Sequence, residues 1–311
     1  MQTRIGILGL GGVGGYFGGL LAKAYTESEE SIEIVFIARG ETQKAIIENG
    51  LKVISDESEF VAFPDLVSND PKVIGKLDYL ICATKTYDIE ESLLSIEKCI
   101  KKRTVILPLY NGVDAPERIQ TLFPDNEVLQ GCAYIVSYIK FPGVIRKLGH
   151  FEKLFFGSIN ASLSKLNALQ SIFKNAGIQS HLSDTIEETV WEKFIFISPL
   201  ASATSYLNQN IGEIINSESN RKFYVALLNE ITLVAAVKGL AIPNDIILQT
   251  IQKLQKSPQD ATSSMHRDIL AGHKSELVSL TEFVIKEGAK YEVETPTYQL
   301  VFDKLSSELD S

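Results

Sequence analysis

The sequence predicts an α/β fold, a doubly wound and mostly parallel sheet followed by an all-helical C-terminal domain. Three observations carry this. Short apolar runs alternate with helix-length segments through the first half. A glycine-rich turn joins the first apolar run to the first helical segment. From Ser183 onward the pattern is helical throughout.

The first of these runs is Arg4-Ile5-Gly6-Ile7-Leu8, which reads as a short buried strand, and Val13 to Tyr25 reads as a helix. Between them lies Gly9-Leu10-Gly11-Gly12-Val13-Gly14. Strand, glycine turn and helix in this order form the Rossmann-type dinucleotide-binding fingerprint. Gly9 permits the tight turn, Gly11 lets backbone approach a pyrophosphate, and Gly14 lets the helix pack on the strand. The helix N-terminus offers free N–H groups to the phosphate. A membrane helix or signal sequence over Ile5 to Ala22 is disfavoured. Eight of those eighteen uncharged residues are glycine, and each costs a helix interior about 1 kcal/mol.

Ser31 to Ala38 reads as the second strand, ending at Arg39-Gly40. The end of that strand meets the adenosine ribose, where an acidic residue selects NAD. Arg39 stands there instead, and its planar donors suit a 2′-phosphate, so NADP is the expected cofactor. The plainer alternative is a solvated surface arginine.

Glu41 to Glu48 is helical and stops at Asn49-Gly50, and Leu51 to Phe63 reads as a small excursion of short strands. Leu77 to Ala83 is a strand ending in Thr84-Lys85-Thr86, with Tyr87 to Cys99 as its helix. Thr104 to Tyr110 is a strand ending at Asn111-Gly112-Val113. Ligands in such sheets lie beyond the carboxyl ends of the strands. Taken singly, Lys85 reads as an exposed lysine and Asn111 as a turn residue. Together at successive strand ends they become candidates for binding nicotinamide and substrate. Val128 to Tyr138 and Val144 to Gly157 read as further strands around Phe141-Pro142-Gly143. Ser162 to Ala176 is helical, and Ile178 to Leu182 is placed to close the sheet.

The boundary is placed near Ser183, giving an NADP-binding domain over 1–183 and a helical domain over 184–311 that are expected to share a cleft. Helices are expected over Asp184 to Leu200, Ser219 to Gly239, Pro243 to Gln255 and Ile269 to Ala289. In the first of them Lys193 lies between Trp191-Glu192 and the apolar Phe194-Ile195-Phe196-Ile197. An ammonium facing a water-poor cleft has a lowered pKa and donates its proton more readily; a snorkelling lysine is the plain reading. Ser198 before Pro199 either touches ligand or satisfies the broken helix. The stretch Ser263 to Glu276 opens with hydroxyls at a helix N-terminus, a place suited to a carboxylate. Ser264 reads equally as an N-cap, and Glu276 as a solvated helix residue.

Bulk properties set limits. A chain of 311 residues, 45% hydrophobic and 22% charged, has length for two cores. A net charge of −9 disfavours a nucleic-acid or anionic-membrane binder. Cys82, Cys99 and Cys132 show no paired spacing and read as reduced thiols of a cytoplasmic protein. The four histidines show no metal-ligand spacing, so no metal is expected.

Five elements together resemble the ketopantoate reductase (2-dehydropantoate 2-reductase) family over nearly the whole chain. They are the Gly9–Gly14 turn, Thr84-Lys85-Thr86, Asn111-Gly112-Val113, Trp191-Glu192-Lys193, and Ser263 to Glu276. The resemblance implies NADPH-dependent reduction of a 2-oxo acid, ketopantoate to pantoate in pantothenate biosynthesis. It implies that Lys193 is the general acid and that Glu276 bonds the substrate and tunes Lys193. It implies Ser264 as a carboxylate contact, Lys85 and Asn111 as cofactor-side residues of the cleft, and Arg39 as the 2′-phosphate reader. At the level of the family it also implies a homodimer. The family's asparagines four and eight residues beyond the lysine are replaced here by Ile197 and Ala201. Either Ser198, Ser202 or Thr204 compensates, or the substrate is a less polar 2-oxo acid or ketone. A non-catalytic NADP-binding module is the remaining alternative, and it gives no reason for Lys193 and Glu276 together.

Overall fold

The computed structural model describes residues 2–26, 28, 30–158 and 160–309. Met1, Asp310 and Ser311, at the outer ends of the two expected domains, lie outside the described residues. The chain divides into two compact units, Met1–Tyr110 with Ala115–Ile186, and Asn111–Asp114 with Glu187–Ser311. The short insert Asn111–Asp114 thus belongs with the helical unit, although sequence order places it among the strands.

In the first unit the chain runs β1 (Thr3–Leu8), α1 (Gly12–Tyr25), β2 (Ile32–Ile37), α2 (Gly40–Asn49), β3 (Leu51–Ile54), β4 (Glu59–Ala62) and β5 (Leu66–Ser68). It continues through α3 (Pro71–Ile74), β6 (Leu77–Cys82), α4 (Ile89–Ser95), β7 (Ile100–Pro108), α5 (Ala115–Leu122) and β8 (Glu127–Val128). It ends with β9 (Gln130–Phe141), β10 (Val144–Gly157), α6 (Leu163–Asn175) and β11 (Gln179–Leu182).

Six strands form a sheet in the order β5-β2-β1-β6-β7-β8, with every pairing parallel. Alternate residues supply its two faces. Ile5, Ile7, Ile34, Phe36, Ile81 and Leu107 pack with Phe17 and Leu21 of α1. Leu8, Val35, Ile37, Leu80, Cys82 and Ile106 pack with Ile89, Leu93 and Ile119 of α4 and α5. Burial on both faces is why these strands read as nearly continuous apolar runs. The segment expected as one helix over Tyr87 to Cys99 is α4 flanked by 3₁₀ turns at Thr86–Asp88 and Glu97–Cys99.

The later strands do not continue this sheet, which corrects the sequence reading. β11, β10, β3 and β4 form a second sheet in that order, and β9 pairs antiparallel with β10. The physical reason lies in α1, whose side-chain-free positions face two ways. A Cβ at Gly18 would lie 3.2 Å from Ile7 in the first sheet; one at Gly15 would lie 2.7 Å from Ile145 and one at Gly19 2.9 Å from Val53, both in the second. Gly15, Gly18 and Gly19, just beyond the dinucleotide turn, let α1 lie between two sheets.

The second unit contains α7 (Ile186–Leu207), α8 (Ile211–Asn216), α9 (Glu218–Val237), α10 (Ile246–Lys256), α11 (Ser264–Leu270), α12 (Phe283–Lys290) and α13 (Pro296–Leu309). α9 is central. Tyr224, Leu227, Leu228, Ile231, Val234 and Ala235 form a buried helical stripe. α7 runs through Pro199 and ends seven residues later than expected, at Leu207. The helix expected over Ile269 to Ala289 is interrupted. α11 stops at Leu270 before Gly272, whose φ is +67°, and a π-helical turn over Val278–Glu282 leads into α12. Among the described residues, no helix is long and apolar enough to cross a membrane, and no cluster of acidic, His and Cys side chains could hold a metal.

Candidate functional site

Each unit contributes its own set of residues. In the first, β1 delivers the chain to Gly9, whose φ is +91°. A Cβ there would lie 2.7 Å from the Thr84 nitrogen, so only glycine fits. A Cβ on Gly14 would lie 2.0 Å from the Gly9 oxygen, which is how helix and turn come into contact. Gly11 differs. Its nearest neighbour would be the Ala83 oxygen at 3.9 Å, leaving open space above the turn. Leu10 is buried below it and Val13 is half-buried. Gly12 packs against β9, where a Cβ would lie 2.2 Å from the Ser137 oxygen. That approach depends on a distant hairpin and has no local signature. The first turn of α1 has neither an acidic residue nor a side-chain cap. Its N–H groups and the space over Gly11 therefore fit a dinucleotide pyrophosphate.

Arg39 lies just beyond β2, the neighbour of β1, and precedes α2 as its N-cap residue. Its side chain is 78% exposed and its guanidinium is 3.9 Å from Glu91. Such an exposed pair is weak, so the donors remain available to a phosphate.

Lys85 follows β6 by three residues and caps the 3₁₀ turn. Its neighbours are fixed. The Thr84 and Tyr110 hydroxyls are 3.0 Å apart, and Arg118 donates to the Thr86 carbonyl at 2.9 Å while gripping Glu90 at 2.7 and 2.6 Å. The Arg118 guanidinium holds the Glu90 carboxyl below its ordinary pKa.

In the second unit Lys193, half-buried on α7, donates from Nζ to Asn111 Oδ1 at 3.1 Å. Gly112 packs against the π-helical turn; a Cβ on it would lie 3.2 Å from Ser279 Cβ. Three residues before Ser279, Glu276 is buried with 5% exposure. Ser275 beside it is also buried, and its Oγ has no hydrogen-bond partner. The insert carrying Asn111 therefore meets both Lys193 and the turn that follows Glu276. Ser275 had no signal in the sequence beyond its place before an acidic residue.

Ser198 is a correction. It is fully buried, donates to the Leu280 carbonyl at 2.6 Å and meets the Tyr298 hydroxyl at 2.7 Å. Leu280 lies in the π-helical turn, where the backbone needs outside partners. Ser198 does not serve a helix broken at Pro199, which α7 runs through; its hydroxyl is taken by a distant segment, so it is not placed as a ligand contact. Ser202 is likewise bonded to Thr281 at 2.9 Å, and Thr204 to Ser263 at 2.8 Å. None of the three hydroxyls is free to replace a missing polar partner. Ser198→Ala is expected to lower stability by about 1–3 kcal/mol, because the Tyr298 hydroxyl loses its partner, while turnover per folded molecule stays unchanged. Thermal unfolding with steady-state kinetics checks this.

Ser264 is the first residue of α11 and is half-buried; the N-cap is Ser263, whose Oγ accepts from the His266 N–H at 3.0 Å. Capping is therefore carried by the preceding residue, not by Ser264.

A parallel sheet with a glycine turn at its centre, and a helical unit presenting a lysine–asparagine pair, define an oxidoreductase of the dinucleotide-binding class. Comparison with known proteins places it further. Residues 5–161 match the family model for ketopantoate reductase PanE/ApbA, and residues 185–307 match the model for its C-terminal part. An uncharacterized oxidoreductase, YkpB, from Bacillus subtilis is 26% identical over 96% of both chains. The crystal structure of 2-dehydropantoate 2-reductase from Porphyromonas gingivalis has a TM-score of 0.86 at 31% identity, covering 98% of this chain and 100% of that one. A ternary structure of D-mandelate dehydrogenase with NADH and anilino(oxo)acetate shares the fold, with a TM-score of 0.87 at 22% identity and 99% of each chain covered. The chain belongs to the ketopantoate reductase family and is an NADP-dependent oxidoreductase of that type.

Proposed function

We propose that this protein reduces a 2-oxo acid to the 2-hydroxy acid at the expense of NADPH, with Lys193 as general acid. The observation that carries the reading is the Lys193 Nζ to Asn111 Oδ1 hydrogen bond of 3.1 Å, beside the turn that follows the buried Glu276. Asn111 Oδ1 only accepts, so it holds the protonated ammonium in place. When bound, NADPH supplies hydride to the carbonyl carbon. Lys193 gives its proton to the carbonyl oxygen as the C–O π bond breaks, and its charge stabilises the oxygen beforehand. Glu276 binds the substrate and tunes Lys193, and Ser264 takes the carboxylate. The Gly9–Gly14 turn takes the pyrophosphate, Arg39 the 2′-phosphate, and Lys85 faces the nicotinamide.

The substrate assigned first is 2-dehydropantoate, which would place the enzyme in pantothenate biosynthesis. A second reading has its own support. One and two turns along α7 from Lys193 stand Ile197 and Ala201, and the nearby hydroxyls of Ser198, Ser202 and Thr204 are already bonded within the protein. Ile197 is half-buried and Ala201 lies in the core, so the polar partners of the family pattern are absent, which suits a 2-oxo acid with an apolar side chain.

The test is NADPH consumption with 2-dehydropantoate set against 2-oxo-3-methylbutanoate and phenyl(oxo)acetate. A higher kcat/KM for 2-dehydropantoate supports the first reading, and for either apolar acid the second. NADPH binding without turnover of any of them removes both.

Arg39→Ala is expected to weaken NADPH about 10- to 100-fold, the loss of charge-assisted bonds to one phosphate, and to leave NADH almost unaffected. KM values for the two cofactors check it.

A further inference from the structure

A polar staple at the far end of α7 is not used by this proposed chemistry. Asn208, just past α7, has φ +52°. Its Oδ1 is 2.9 Å from His266 Nε2, and His266 Nδ1 is 2.5 Å from the Thr262 hydroxyl. The asparagine oxygen can only accept, so Nε2 carries the ring proton and Nδ1 accepts from Thr262. The imidazole is 5% exposed, and burial with the adjacent Arg267 lowers its pKa, which keeps it in this neutral form. A second bridge, Thr204 Oγ1 to Ser263 Oγ at 2.8 Å, lies alongside.

Both bridges reach the same short turn, residues 262 to 264, one from Thr204 on α7 and the other, through His266, from Asn208 just past its end. Thr204 lies eleven residues beyond Lys193 on α7, about three turns, which returns to the same side of the helix. Thr204 is about 16 Å along the axis from Lys193. The turn is therefore anchored to the stripe of α7 that carries the general acid. Ser264, half-buried, is the last residue of this turn and the first of α11.

We propose that His266 is a positioning residue for the substrate carboxylate. By bridging Asn208 and Thr262 it holds the turn that presents Ser264 along the Lys193 face of α7. The inference rests on the reading of Ser264 as the carboxylate contact. His266 touches no substrate; it acts through Ser264.

The experiment measures KM and kcat for 2-dehydropantoate, or for 2-oxo-3-methylbutanoate if that is the better substrate. NADPH KM and Tm are recorded alongside, for Ser264→Ala, Asn208→Gly, His266→Leu and His266→Gln. Asn208→Gly is the cleanest variant, because glycine keeps the left-handed backbone and removes only the acceptor. The expected result is a KM for the 2-oxo acid raised about tenfold in Asn208→Gly and His266→Leu, part of one charge-assisted hydrogen bond. In Asn208→Gly, kcat stays within about twofold and NADPH KM is unchanged. His266→Gln, which keeps an N–H donor, recovers most of the loss. An unchanged KM in Asn208→Gly, with a raised one in Ser264→Ala, overturns the role of His266 and leaves that of Ser264 standing. An unchanged KM in Ser264→Ala removes the carboxylate reading and this inference with it. A parallel fall of Tm, kcat and NADPH affinity in Asn208→Gly shows a structural staple and overturns the proposal.

Discussion

Lys193→Ala is expected to lower kcat by about 10²- to 10⁴-fold, the range for removal of a positioned general acid. The side chain is half-buried and its ammonium is held by Asn111 Oδ1 at 3.1 Å, so truncation removes a proton donor fixed at that place. Alanine is a good helix former within α7, and the neighbouring Trp191 and Phe194 stay buried in the core. NADPH affinity and Tm should therefore remain near wild type, which separates loss of chemistry from loss of fold. Lys193→Arg is expected to remain severely impaired, because a guanidinium keeps the charge but does not give up its proton. Rapid-mixing measurement of NADPH oxidation, with cofactor binding followed by fluorescence, checks both variants. Turnover of Lys193→Ala within tenfold of wild type would assign the proton to another group.

Gly14→Ala is expected to damage both fold and cofactor binding, while Gly11→Ala should damage binding alone. The methyl at Gly14 would lie 2.0 Å from the Gly9 oxygen, backbone against backbone, with no flexible side chain to move aside. The helix has to lift off the turn, at a cost of about 1–3 kcal/mol or more, seen as a Tm lowered by on the order of 5 °C. At Gly11 the added methyl meets nothing nearer than the Ala83 oxygen at 3.9 Å. It fits the protein and projects into the space where the turn would receive a pyrophosphate. Calorimetric titration with NADPH, together with thermal unfolding, distinguishes the two. Wild-type NADPH affinity in Gly11→Ala would place the pyrophosphate elsewhere.

The sequence was most informative where chemistry and local geometry coincide. Ile5 to Gly14 announces itself because strand, tight turn and helix start follow one another within a dozen residues, and each needs a particular residue type. Lys193, on its own helix, reads as a snorkelling lysine; only the family resemblance marks it as the general acid. Ser198 was legible only as a choice between two roles. Neither is observed, because Leu280 and Tyr298, far along the chain, take its hydroxyl. Ser264 read equally as a cap, a role the structure gives to Ser263.

The alternation of apolar runs with helical segments, the glycine turn after β1 and the helical character of everything beyond Ser183 belong to the sequence by itself, because each rests on periodicity or on residues adjacent in the chain. Tertiary structure alone decided the rest. β9, β10 and β11 read as strands, yet their assignment to a second sheet depends on pairing register and on the bare far side of α1, where Gly15 and Gly19 admit Ile145 and Val53. Asn111 reads as a strand-end residue, yet it groups with the helical unit because Lys193 and Ser279 pack on its loop. Local pattern sets which elements form; the pairing of surfaces distant in the chain sets where each one goes and which hydroxyls and amides remain free for a ligand.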